Sequence, residues 1–241
     1  MRVTVYGDFN CPYSYLASLR IDALLRQGVE VGWRAVEHSP RLSMTGSPAK
    51  ADPGLGGRAL AQVRLLAAPD ERTPRSAPAL ISNTYAATSA YAEAVTDGLH
   101  HEVRRALFDA IWIGGRHLGN PYDVRDVVSD ISYPPFPIEP YRCSPDRALP
   151  RYGDGSPLGM TRALGATTSF SGAPITTTGW LRMRRWHDDW LATAGGGPLP
   201  VLVEEQGATL TGIRALAFLA ELRTGPAAQR TPVTAEALAA A

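Results

Sequence analysis

The chain has 241 residues, 44% of them hydrophobic and 20% charged, with a net charge of +1. Those fractions suit one large water-soluble domain or a small one with a sizeable insertion. The near-neutral balance excludes the basic footprint of a nucleic-acid or anionic-membrane binder. Two cysteines cannot build a disulfide framework. Met1 leads directly into a predicted strand, with no early apolar segment long enough for a signal peptide or membrane span. A cytoplasmic location is therefore expected, where thiols stay reduced.

Val3 to Tyr6 alternates like a strand, and Leu16, Leu19, Ala23 and Leu24 then recur at helical spacing. The predicted helix runs from Pro12 to Arg26 and ends at Gln27-Gly28, with Gly28 suited to a left-handed cap. Cys11 thus lies at a helix start, followed by Pro12, whose missing N–H costs nothing there. Free N–H groups and the helix dipole at such a position favour a thiolate, so Cys11 is a candidate nucleophile with a lowered pKa. The alternative is a buried structural cysteine at a strand end. Val29 to Val36 is the second predicted strand, parallel to the first across the helix. It delivers Glu37, His38 and Ser39 to the edge where open α/β sheets bind ligands. His38 either faces Cys11 and helps activate it, or is a loop histidine on a backbone carbonyl.

Arg41 to Pro53 is a predicted loop and Leu55 to Ala68 a helix. The Gly54-x-Gly56-Gly57 stretch lacks a preceding strand and is not a nucleotide fingerprint. Pro69 to Pro78 is a breaker-rich linker. Helices follow over Ser82 to Thr96, with Ser82 or Asn83 as N-cap, over Leu99 to Ile113, and over Tyr122 to Ile131. His100 and His101 are adjacent and cannot form an i, i+4 metal pair, so they are expected in solvent and no metal site is predicted. Tyr133 to Pro157 is a long loop carrying Cys143, either a resolving thiol for Cys11 or an incidental cysteine. Leu158 to Thr178 is turn-rich. Trp180 to Ala194 is a helix whose Trp180, Met183, Trp186, Trp190 and Leu191 belong in a core, or in part line an apolar pocket. Val201 to Glu204 and Ala208 to Leu210 form a hairpin about Gly207, and Ile213 to Leu222 is the last helix. Gly225 to Ala241 is an alanine-rich, frayed tail.

Three stretches carry a family resemblance. They are Asp8-Phe9-Asn10-Cys11-Pro12-Tyr13-Ser14-Tyr15-Leu16, then Val31 to Pro40, and Leu199-Pro200-Val201-Leu202-Val203 with Thr211-Gly212. In that order they resemble the DsbA-like branch of the thioredoxin superfamily. That branch takes in FrnE-type oxidoreductases, kappa-class glutathione transferases and 2-hydroxychromene-2-carboxylate isomerases. The resemblance implies an α/β, thioredoxin-like fold with a large, mostly helical insertion. Residues 1–50 and 196–225 would be the two halves of the thioredoxin-like domain, 51–195 the insertion and 226–241 a tail. It also implies that Leu199–Pro200 is a cis bond close to Cys11, whose flanking backbone pairs with a bound thiol as an added strand.

The resemblance assigns Cys11 and Ser14 as catalytic, and Asn10, Pro12, Tyr13, His38, Leu199 and Pro200 as the thiol- or substrate-binding set. Dithiol members carry a resolving cysteine where this chain has Ser14. A hydroxyl cannot exchange with a disulfide, but it can donate to the Cys11 thiolate. The implied function is a monothiol, Cys-Pro-Tyr-Ser oxidoreductase working through a mixed disulfide with an external thiol. Alternatives are a thiol-cofactor-dependent isomerase or transferase acting on a small hydrophobic electrophile, and a non-catalytic binding protein on the same fold. No tightly bound cofactor is expected; the thiol is glutathione or another low-molecular-weight thiol. Glutathione users of the branch carry an Asp-Arg pair after the turn glycine, and here Ile213-Arg214 follows Gly212. The missing acid points toward FrnE-like enzymes or another cellular thiol. The expected partner is a small thiol or disulfide, with no nucleic acid or membrane, and a homodimer stays open.

Overall fold

Strand β1 (Arg2–Gly7) is the strand to which both ends of the chain attach. It pairs in parallel with β2 (Glu30–Ala35) and antiparallel with β5 (Val201–Glu204), and β5 pairs antiparallel with β6 (Thr209–Thr211). The sheet order is β2-β1-β5-β6. The computed structural model describes residues 2–49, 57–132, 176–205 and 207–225. The expected loop with Cys143, most of the turn-rich stretch after it and the C-terminal tail lie outside these residues.

Parallel pairing of β1 and β2 demands a crossover, which α1 (Pro12–Arg26) supplies. Cys11 is its N-cap, with extended backbone (φ −91, ψ 119) and Pro12 as first helical residue. The helix closes at Gln27, and Gly28 takes φ 75, where a side chain would be strained. Val3, Val5, Leu16, Ile21 and Leu24 are fully buried between helix and sheet. Each such side chain contributes about 1.5–3 kcal/mol.

The remaining helices are α2 (Gly57–Leu66), α3 (Tyr85–Ala94), α4 (His100–Trp112), α5 (Pro121–Ser132), α6 (Thr177–Ala194) and α7 (Ile213–Thr224). Helices α3, α4 and α5 pack on one another, α6 packs on α3, and α7 lies against α1. Two buried ion pairs brace α1. Arg104 on α4 reaches Asp22, and Arg20 meets Glu71 at 2.9 Å while donating to the Leu66 and Leu216 carbonyls at 2.7 Å each. No helix among the described residues is long and apolar enough to cross a membrane.

The expected elements differ from the observed ones in a few places. Two-residue strands β3 (Ser47–Pro48), inside a stretch expected to be loop, and β4 (Leu80–Ile81), between the expected linker and helix, pair antiparallel. Helix α3 begins at Tyr85, and Thr84 at its N-cap position makes no side-chain capping bond; the expected cap Asn83 supplies that bond from one residue earlier, whereas Ser82 is committed elsewhere. The Ser82 hydroxyl accepts from the Leu118 N–H, and the Asn83 side chain accepts from the Tyr85 N–H. His100 and His101 are not in free solvent: their rings lie 4.2 Å apart and each Nδ1 is buried. On α6, Met183, Trp186 and Trp190 are buried, whereas Trp180 and Leu191 face outward, 40% and 44% exposed.

Candidate active site

A cleft of about 560 Å³ opens over Cys11 where α1 begins. Its walls come from four places in the chain. Pro12 and Tyr13 belong to the first turn of α1, and Asp8 and His38 follow the ends of β1 and β2. Pro198 and Leu199 precede β5, and Thr211 to Arg214 make the turn into α7. The Leu199–Pro200 bond is cis. The Cys11 Sγ lies 3.9 Å from the Leu199 carbonyl oxygen, toward which the thiol donates. Pro200 is buried behind that carbonyl, and its own oxygen accepts from the Gly212 N–H at 2.8 Å.

Ser14 is fully buried one turn into α1. Its Oγ accepts from the Asp8 N–H at 3.3 Å, and its hydroxyl, with the N–H groups of Tyr13 and Ser14, lies near enough to the Cys11 sulfur to favour the thiolate. Gly7 makes room for this: a Cβ there would sit 2.3 Å from the Trp33 ring and 3.0 Å from the Ser14 Oγ. Tyr13 is fixed by its hydroxyl, which donates to Gln62 on α2 at 2.6 Å.

Asn10 and His38 stand differently toward the cleft. Asn10 is buried and does not line the cleft; its side-chain amide donates to the Ser82 carbonyl. His38 lines the cleft, but its ring meets Trp190 (6.4 Å between centroids) and the Ser39 hydroxyl, with no bond to Cys11. Asp8, passed over in the sequence, is the hub of the site. Its carboxylate accepts from the Asn10 N–H (3.1 Å), the Thr84 hydroxyl (2.9 Å) and the His38 N–H (2.8 Å). Trp112 on α4 adds a bond from its indole N–H to the Phe9 carbonyl at 2.8 Å, so the turn before Cys11 is held from both sides.

The strand–cysteine–helix unit at the head of the site lies inside the stretch that a family model matches. The model of the DSBA-like thioredoxin domain matches residues 2–132. The chain belongs to this family. A comparison with curated proteins finds no match. Among solved structures, the chain is similar to a probable DsbA oxidoreductase, SCO1869, from Streptomyces coelicolor, at 16% identity and TM-score 0.54, over 97% of this chain and 92% of that one. It is similar to the cytosolic disulfide reductase DsbM of Pseudomonas aeruginosa, solved with GSH, at 17% identity and TM-score 0.55, over 92% and 96%. It is also similar to a 2-hydroxychromene-2-carboxylate isomerase, at 16% identity and TM-score 0.56, over 92% and 93%. At these identities the likeness shows the fold that the three structures share with this DSBA-like chain.

The electrostatics of this DSBA-like site reverse one expectation. Burial pushes the Cys11 thiol up to about 11, and the Asp8 charge pushes the same way. The Ser14 hydroxyl and the Tyr13 and Ser14 N–H groups pull it down without offsetting the lost solvation. The helix start therefore does not by itself yield a thiolate. Asp8 is raised by its own burial, and Glu37 is raised to about 7 by burial and by Asp8. Because the thiolate is the reactive form, alkylation of Cys11 is expected to keep rising with pH above 9, with its midpoint near 11. Asp8→Asn removes a repelling charge and is expected to bring that midpoint down. Rates of iodoacetamide labelling at Cys11, followed by peptide mass, check both. A midpoint at the ordinary thiol value of ~8.5 would contradict the desolvation argument.

Proposed function

We propose that this chain is a monothiol thiol–disulfide oxidoreductase acting through Cys11 and an external low-molecular-weight thiol. The observation that carries the proposal is the head of α1, where Cys11 opens into the cleft against the Leu199 carbonyl with the Ser14 hydroxyl beside its sulfur. Cys11 lines the open cleft, and its thiol loses its proton to solvent base as it reacts. The Cys11 sulfur then attacks one sulfur of the substrate disulfide. A Cys11 mixed disulfide forms, the substrate S–S bond breaks, and the departing thiolate is protonated. Ser14 cannot resolve this intermediate, so a small thiol attacks it and regenerates Cys11. A second thiol then releases the first as a low-molecular-weight disulfide, and two electrons have passed to the substrate. A sulfur of high pKa is a strong nucleophile once ionised, which offsets part of its low thiolate fraction.

In this reading Pro12, Tyr13, His38 and Leu199 contact the thiol or substrate, while Asn10 and Pro200 hold the site from behind. The glutathione present in the DsbM structure supports a small thiol as second partner, and a cytoplasmic setting suits the cycle. Residues 1–50 and 196–225 form the thioredoxin-like half-domains around the insertion at 51–195.

The raised Cys11 thiol favours one second reading, a thiol-dependent isomerase or transferase. A protonated Cys11 would donate to a bound thiolate, and that thiolate would attack a small apolar electrophile. The two readings separate on one experiment: exposure to a small disulfide followed by peptide mass mapping. The oxidoreductase reading expects a mixed disulfide on Cys11 that added thiol removes; the isomerase reading expects none.

A further inference from the structure

We infer that His38 gives a proton to the thiolate expelled during exchange at Cys11 and takes one from the small thiol that enters afterwards. The inference rests on the proposed exchange at Cys11 and adds the group that manages its protons. Attack on a disulfide runs in line, with nucleophile, central sulfur and leaving sulfur close to one axis. The leaving sulfur therefore sits two S–S lengths, about 4 Å, from the Cys11 sulfur, out in the cleft. An alkyl thiol is a weak acid, so its thiolate leaves slowly unless a proton reaches it.

Besides Cys11, the ionisable residues in the cleft wall are Asp8, Tyr13, His38 and Arg214. Asp8 is 1% exposed, and its carboxylate is turned inward onto three donors. Tyr13 directs its hydroxyl proton at Gln62. The Arg214 guanidinium does not release a proton. The Leu199 carbonyl beside the sulfur only accepts. An imidazole is the side chain that both gives and takes a proton near neutrality.

The fold holds His38 for this role. Its backbone N–H donates to the Asp8 carboxylate at 2.8 Å, which sets the residue beside the group whose charge reaches Cys11. The ring lies against Trp190, and Nδ1 faces the Ser39 hydroxyl at 3.5 Å. Nε2 has no hydrogen-bond partner among the described residues, and the side chain is exposed where it lines the cleft. It is free for a ligand and open to proton exchange with water. In the first step the Cys11 thiolate bonds to one substrate sulfur. The electron pair of the broken S–S bond leaves on the other sulfur, and the imidazolium proton goes to it. His38 is then neutral. It takes the proton of the incoming thiol as that sulfur attacks the mixed disulfide and Cys11 leaves as thiolate.

The test uses two neutral disulfides that place the same 2-hydroxyethylthio group on Cys11 and differ in what they expel. Bis(2-hydroxyethyl) disulfide expels an alkyl thiolate that needs a proton. The mixed 2-hydroxyethyl 4-nitrophenyl disulfide expels a stable aryl thiolate that does not. Rates of adduct formation on the full-length chain are read by peptide mass and divided by the rate of the same probe with free 2-mercaptoethanol. His38→Ala is expected to slow the alkyl probe about tenfold or more and to leave the aryl probe within about twofold. His38→Gln keeps a hydrogen-bonding side chain without a transferable proton and should behave as His38→Ala. Circular dichroism and thermal melting confirm that both variants are folded. A side chain that only shapes the wall would change both rates alike. An equal loss with both probes, no loss with either, or a parental alkyl rate in His38→Gln overturns the inference. Failure of Cys11 to react with either probe in the parent overturns the exchange reading itself, and this inference with it.

Discussion

Replacing Ser14 by cysteine is expected to turn this monothiol site into a dithiol one that closes an internal disulfide with Cys11. The two positions are three apart at the start of α1, so their side chains share one face of the first turn. The buried Ser14 hydroxyl already acts on the Cys11 sulfur. The swap replaces an oxygen by a sulfur, and the crowding it must meet is local: Gly7, the Trp33 ring and the Asp8 N–H. A resolving thiol held there acts at an effective concentration of roughly millimolar or more, far above that of a dilute external thiol. A single round of insulin reduction by the pre-reduced Ser14→Cys protein should therefore need no added thiol, and turnover, with external thiol reopening the internal disulfide, should rise well above the parent. Free-thiol titration after mild oxidation should show the loss of two thiols in the variant. A folded Ser14→Cys protein that forms no such disulfide would show that the two side chains do not share the sulfur site.

The second large effect is on stability. Glu71→Ala is expected to cost about 3–5 kcal/mol, because it strands a buried guanidinium rather than merely deleting a contact. Glu71 accepts from Arg20 Nε at 2.9 Å and Nη2 at 3.1 Å, from the Ala68 N–H at 2.8 Å, and from Arg223 at 3.2 Å. The side chains of Arg20 and Glu71 are 4% and 3% exposed. The pair joins α1 to the segment after α2 and, through the Leu216 carbonyl, to α7. Its loss should lower the melting temperature on the order of 10 °C for a chain of this size. Arg2→Ala provides the contrast. It breaks a 3.1 Å pair with Glu30 whose side chains are 66% and 69% exposed, and should cost no more than about 1 kcal/mol. Urea denaturation of both variants decides it; a Glu71→Ala loss as small as that of Arg2→Ala would remove the claim.

The parts of this molecule legible in the sequence are those whose cause is local. Val3 to Tyr6 alternates because β1 buries side chains on the sheet, and Pro12 after Cys11 marks a helix start that needs no N–H. The parts that were not legible depend on partners far away in the chain. Ser47–Pro48 and Leu80–Ile81 make strands too short to leave a period-two pattern. Asp8 becomes the hub of the site only because Thr84 and His38 arrive from 76 and 30 residues away. Nothing near Asp8 in the chain announces them. The lowered thiol pKa failed for the same reason. The helix dipole and Ser14 can be read from Cys11 to Ser14, but the desolvation that outweighs them comes with the fold, which brings Leu199 to Cys11 from 188 residues away. Asn10, which the resemblance placed in the binding set, turns its amide to the Ser82 carbonyl, a partner 72 residues away that the local sequence does not show.

The central claim is that Cys11 carries the covalent intermediate of a monothiol exchange. The most direct measurement is rapid quench of the purified full-length chain mixed with a small disulfide, followed by intact and peptide mass at successive times. The account predicts a single thiol adduct on Cys11 that forms before the released thiol accumulates in later turnovers and disappears when thiol is added. In Cys11→Ala the adduct at this position and the disulfide turnover should both vanish. Turnover at the parental rate in Cys11→Ala, or turnover in the parent with no adduct on Cys11 at any time, would contradict it.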